Sequence, residues 1–158
     1  MANEKDLKQA QAVYKALCAM LDENDWHYMR DDEALMIKCG AQGDDLPMQI
    51  RIEVDMERQI VSLLSQMPFD VPENRRKELA VAVSLANYGM VDGSFDYDYL
   101  RGIIIFRMTS SYRECLIGKD LLGYMLMCAC HTIDEYNDKF LTLTKNSMTI
   151  AEILEFIK

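Results

Sequence analysis

The stretch GSFDYDYLRGIIIFRM, Gly93 to Met108, sets an aromatic residue at every second position (Phe95, Tyr97, Tyr99) and then runs into an apolar segment. Whether that stripe is a ligand platform or the inside of a domain turns on register. A hairpin turning about Arg101-Gly102, where Gly102 can take a positive φ, sets Tyr99 opposite Ile104, Tyr97 opposite Phe106 and Phe95 opposite Met108, all on one side. On the other side Asp96 faces Arg107 and Ser94 faces Thr109, an ion pair and a hydroxyl pair. A slip of one residue would set Phe95 against Arg107 and destroy this segregation. The stripe is therefore expected to be core. Ile103 and Ile105 are left on the polar side, either under a helix or exposed and available for pairing.

Upstream, Leu7, Ala10, Tyr14, Leu17 and Leu21 recur at three- and four-residue steps, with Val13 and Cys18 widening the stripe. That spacing predicts an amphipathic helix over 6–23. Short alternating runs follow at 26–30, 34–39, 47–55 and 59–67. The third, PMQIRIEVD, is the cleanest: Met48, Ile50, Ile52 and Val54 share one face. Pro72 and Glu73 then open a second helix. From Leu79 it is apolar nearly all round, so it needs two covers: another helix of the chain, or a second copy. Downstream, TSSYRECLIGKD is expected to be a connection. A long helix follows from about Asp120 to Phe140, then a short one at 149–157. Thr149 and Glu152 stand at capping-box spacing, and Ile150, Ile153, Leu154 and Ile157 form its apolar face.

The bulk numbers suit one domain: 158 residues, 50% hydrophobic and 27% charged. A net charge of −9 argues against a nucleic-acid backbone as partner. The one basic run, Arg75-Arg76-Lys77, is flanked by Glu73 and Glu78 and belongs to the solvated start of a helix. Five cysteines (Cys18, Cys39, Cys115, Cys128, Cys130) lie in apolar segments and cannot all pair. No apolar run reaches membrane-spanning length, and MANEKDLKQAQ is too polar for a secretory signal. A reduced cytoplasm is the expected setting.

Candidate chemistry is sparse. Cys128, Cys130 and His131 invite a zinc reading. On a helix, however, the two thiols point roughly 160° apart, and no second Cys or His pair completes the set. Acidic clusters at Asp22-Glu23, Asp31-Asp32-Glu33 and Asp44-Asp45 lack the pattern of a calcium loop. There is no nucleophile elbow, phosphate loop or dinucleotide fingerprint, and only His27 and His131 could serve as an imidazole base.

The order of elements, together with residues 69–108, resembles the YbjN family. Val71-Pro72 opens the second helix, Ala86-Asn87 ends it, Gly93-Ser94-Phe95 leads the next strand, and Phe106-Arg107 closes the hairpin. The topological likeness spans about residues 6–141, its distinctive part being the middle forty. The helix at 149–157 extends beyond it, within a single expected domain over 1–158. The resemblance implies the α+β fold of type III secretion chaperones: a curved antiparallel sheet of about five to six strands packed by helices, in the order α-β-β-β(-β)-α-β-β-α. Such proteins are usually homodimers, and those chaperones hold an extended client segment against apolar patches. YbjN-like proteins are labelled sensory transduction regulators, a label that names no reaction and no catalytic residue.

The leading expectation is thus a non-catalytic, cytoplasmic, homodimeric module that binds a protein or extended peptide segment. Val81, Leu85, Tyr88, Ile103 and Ile105 are its candidate contact residues. No cofactor, metal, nucleic acid or membrane insertion is expected. The alternatives are a regulator holding a small ligand in an apolar pocket rimmed by Tyr97, Tyr99 or Trp26, and a metal protein or enzyme built on Cys128, Cys130, His131 and Glu135.

Overall fold

The apolar steps of the N-terminal segment wind Glu4–Glu23 into a helix (α1) that buries Ala10, Val13, Tyr14, Leu17, Cys18, Met20 and Leu21. The computed structural model describes residues 4–158; residues 1–3 of the expected domain lie outside the described residues. Four antiparallel strands follow: Tyr28–Asp31 (β1), Met36–Gln42 (β2), Pro47–Asp55 (β3) and Ile60–Gln66 (β4). Strand β3 has the expected bounds. The first two begin two residues later than the sequence pattern suggests, leaving Trp26 before the sheet. The Asp31 carboxylate accepts from the Glu33 and Ala34 N–H groups at 3.1 and 2.9 Å, and this Asx-type turn closes the first hairpin.

One turn of 3₁₀ helix, Glu73–Arg75, follows Pro72 and leads into Arg76–Gly89 (α2). Strands Ser94–Asp98 (β5) and Ile103–Ser111 (β6) form the last hairpin, and β6 pairs with β4. The sheet order is β1-β2-β3-β4-β6-β5, and every neighbouring pair is antiparallel. Strand β6 takes in Thr109–Ser111, which the sequence reading assigned to a connection; Ser111 pairs with Ile60.

The hairpin register differs from the expected one by two residues. Phe95 faces Phe106 and Tyr97 faces Ile104. The turn holds four residues, Tyr99 to Gly102, instead of two. Gly102 N–H donates to the Asp98 carbonyl at 2.7 Å, Arg101 N–H donates to the Asp98 carboxylate at 3.0 Å, and Val71 N–H donates to the Gly102 carbonyl at 2.8 Å. A shift of two keeps every side chain on its face, so the stripe is core as expected for Phe95 and in part for Tyr97. Phe95 is buried edge-to-face against Phe106, Tyr136 and Phe140, with centroids 5.1 to 5.7 Å apart. Tyr99 instead sits in the turn, exposed. Arg107 still meets Asp96, now on the diagonal, at 3.0 Å.

The outer edge of β5 is closed by the preceding helix. The Asn87 amide donates to the Phe95 carbonyl (2.9 Å) and accepts from the Phe95 N–H (2.8 Å). Unpaired strand edges otherwise invite pairing with another chain.

Helix Lys119–Lys145 (α3) runs five residues beyond its expected end, and Ile150–Ile157 (α4) closes the chain. Both halves of the α4 capping box form: Thr149 N–H to Glu152 Oε2 at 2.7 Å, and Glu152 N–H to Thr149 Oγ1 at 3.3 Å. Ile153 and Ile157 are buried, whereas Ile150 and Leu154 face outward. Helix α4 packs on α2, so a cover for the second apolar side of α2 comes from the same chain.

Candidate functional site

The reactive groups do not gather. His27, His131 and Glu135 are exposed, while Cys128 and Cys130 are half-buried against the core on α3. Burial, with the Asp134 charge behind it, pushes the Cys130 thiol up to about 11; burial and then Cys130 push Cys39 up to about 11. These thiols stay protonated near neutrality, whereas nucleophilic or metal-binding thiols need the thiolate. Among the described residues no three His, Cys, Asp or Glu side chains form a group that could hold a metal ion, and all five cysteines are free.

The carboxylates of the first two acidic clusters are engaged locally. Asp22 accepts from the Tyr28 hydroxyl at 2.8 Å. Asp32 accepts from the Tyr14 hydroxyl at 3.0 Å and from Arg30 at 2.7 Å. Asp44 N–H is held by the Asp134 carboxylate at 2.9 Å. Of the aromatic rim proposed for a small ligand, Tyr97 and Tyr99 stand edge-to-face with centroids 6.1 Å apart, and Trp26 does not join them. Trp26 lies beside β1 and Tyr97 on β5, the two opposite edges of the sheet, and the Tyr97 hydroxyl donates to the Arg76 carbonyl at 3.3 Å.

What the fold does display is two exposed surfaces with apolar content. The first runs from the end of α2 onto α3. Tyr88 is 93% and Val91 96% exposed, and on α3 Tyr124 (51%) and Met127 (62%) stand one turn apart. The Tyr124 hydroxyl donates to the Asp92 carboxylate, which ties the two halves together; that hydrogen bond pushes the phenol up to about 12. Of the expected contact residues, Val81 and Leu85 are half-buried and packed on the core, while Tyr88 projects fully.

The second surface is the face of the sheet away from the helices. Alternation buries Ile50, Ile52, Val61, Leu63, Ile104 and Phe106 on the inner side. It turns Lys38, Arg51, Leu64, Ile103, Ile105 and Arg107 outward, with Leu64, Ile103 and Ile105 half-exposed. The expected residues Ile103 and Ile105 therefore lie under no helix. Tyr124, Met127, Lys38 and Leu64 were missed by the sequence reading. A leucine on the outward register of β4, and a second apolar row on α3 beside its buried one, were the available signals.

No curated protein matches the chain. Two solved structures share its fold. One is the crystal structure of YbjN from E. coli, titled "a putative transcription regulator", at 12% identity and TM-score 0.57, covering 80% of this chain and 92% of that one. The other is a chain of the HopA1–SchA chaperone–effector complex, at 14% identity and TM-score 0.53, covering 82% and 95%. At such identity the likeness carries the fold, which is the α+β architecture of a type III chaperone structure with a six-stranded antiparallel open sheet. The family described as "Putative bacterial sensory transduction regulator" matches residues 14–142, and α4 lies outside that match. The chain belongs to the YbjN family.

Proposed function

We propose that this protein is a non-catalytic interaction module, regulatory or chaperone-like, that binds a protein segment as a homodimer in the reduced cytoplasm. The observation that carries the reading is that Tyr88 and Val91 at the end of α2, and Tyr124 and Met127 on the stretch of α3 that Asp92 joins to it, are large apolar side chains left exposed, and exposed apolar surface marks association sites. The likeness to a chain of a chaperone–effector complex supports a polypeptide partner. A charge of −9 disfavours nucleic acid as partner.

In this reading residues 1–158 act as one YbjN-like domain with a core over about 6–141 and a C-terminal helical extension. The contact residues are divided between the two surfaces: Tyr88, with Val81 and Leu85 behind it, serves the second copy, while Ile103 and Ile105 serve the client. Light scattering across a concentration series tests the dimer. A dimer at micromolar concentration that Tyr88→Ser with Val91→Ser converts to monomer is expected. A monomer throughout the series overturns the homodimer.

A further inference from the structure

We propose that the open face of the sheet binds an extended acidic segment of a partner protein, whose carboxylates meet Lys38 and Arg51 while its apolar side chains rest on Leu64 and Ile105. This rests on the protein-binding reading and deepens it by giving the partner a chemistry.

Register places the groups in line. Lys38 pairs with Arg51 across β2 and β3, Arg51 with Leu64 across β3 and β4, and Leu64 with Arg107 across β4 and β6. Gln66 stands opposite Ile105, which stands opposite Asp96. A water-facing side of an antiparallel sheet ordinarily carries polar residues at these positions. Here Leu64, Ile103 and Ile105 interrupt it next to a depression of about 320 Å³ bounded by Lys38, Arg51, Leu64, Gln66 and Ile105.

The charge on this face is polarised. Lys38 makes no ion pair among the described residues. Arg51 approaches Glu53 only at 3.9 Å with both side chains nearly half exposed, a contact worth little in water. Arg107, by contrast, is held by Asp96 at 3.0 Å. Reading from β2 to β5, the face therefore runs from Lys38 and Arg51, with Glu53 beside the latter, across an apolar floor to Asp96 and Asp98, with Arg107 paired to Asp96. In a chain of net charge −9 such a cationic end selects an anionic occupant with a direction.

The dimensions fit a peptide. From β2 to β6 there are three strand gaps, about 14 Å, which four or five extended residues span. Alternate side chains of such a segment point the same way, so carboxylates at one end and leucines at the other meet the face together. The Gln66 amide can bond the segment's backbone. A phosphate backbone would carry its charge over the Leu64–Ile105 floor and against Asp96, so nucleic acid does not fit.

The test is binding of a labelled peptide, Asp-Ser-Asp-Ser-Leu-Ser-Leu, followed by amide chemical shifts of the full chain, with a peptide carrying lysine for aspartate as control. Expected are shifts at Lys38, Arg51, Leu64 and Ile105, no binding of the lysine peptide, and about tenfold weaker affinity in a Lys38→Gln, Arg51→Gln variant. Both positions are solvent-facing, and an unchanged circular dichroism spectrum shows that the variant is folded. Equal binding of the two peptides overturns the proposal, as does binding of neither. Shifts confined to Tyr88 and Tyr124 overturn it while leaving the protein-binding reading intact.

Discussion

Asn87, at the end of α2, exchanges two hydrogen bonds with the backbone of Phe95 and so occupies the outer edge of β5. Replacing it with Ala leaves a strand N–H and C=O without partners. A loss of about 1–3 kcal/mol is expected, together with a tendency to self-associate through the freed edge. Urea denaturation measures the first and light scattering the second. Wild-type stability in Asn87→Ala would show the two bonds to be incidental.

Gly102 has φ +72, and a Cβ there would lie 2.3 Å from the Val71 carbonyl oxygen. Gly102→Ala is expected to cost more than the roughly 1–2 kcal/mol of a left-handed residue alone, because the collision is with backbone. The readout is the melting temperature, with amide exchange at Val71 reporting the loosened turn.

Asn137 is 1% exposed on α3, and among the described residues neither its amide oxygen nor its amide nitrogen has a protein hydrogen-bond partner. An unsatisfied buried amide carries its desolvation cost uncompensated. Asn137→Leu is expected to raise the urea midpoint by the equivalent of about 1–3 kcal/mol with an unchanged slope. A fall would show that the amide is satisfied in the folded protein.

The thiols should separate by burial. Cys115 is exposed, Cys18 and Cys39 are buried, and Cys39 and Cys130 are raised to about 11. At pH 8 only about one in a thousand of those raised thiols is ionised. Iodoacetamide followed by mass spectrometry should mark Cys115 first in native protein and all five in urea; early marking of Cys39 would contradict the structure.

At α4, Thr149→Ala removes the cap and is expected to cost about 1 kcal/mol. The Glu152 carboxyl is held below its ordinary range by the Thr149 backbone and then side-chain hydrogen bonds. A lowered carboxylate stabilises above its unfolded pKa, and the contribution fades as pH falls through the folded value. Acid should therefore loosen α4 in the wild type and have less effect on it in Glu152→Gln, which amide exchange over 150–157 would follow.

Much of this architecture is legible in the residues, because alternation in β3 and helical spacing in α1 are enforced by burial of one face. The faces of the β5–β6 hairpin were legible for the same reason: parity survives a two-residue shift. The turn length was not, since it depends on Val71, about thirty residues away, bonding Gly102. The need to cover α2 twice could be read from Leu79 to Ala86, but not that Ile153 and Ile157 answer it. Leu64 and Met127 were not legible because hydrophobic periodicity marks the stripe that burial enforces, and both residues lie off that stripe.

The short link of 146–149 ties α4 to the end of α3. A tether of that length holds a ligand at millimolar local concentration. An outside helix reaching for the same flank of α2 must outcompete one that never diffuses away, and dilution does not weaken the incumbent.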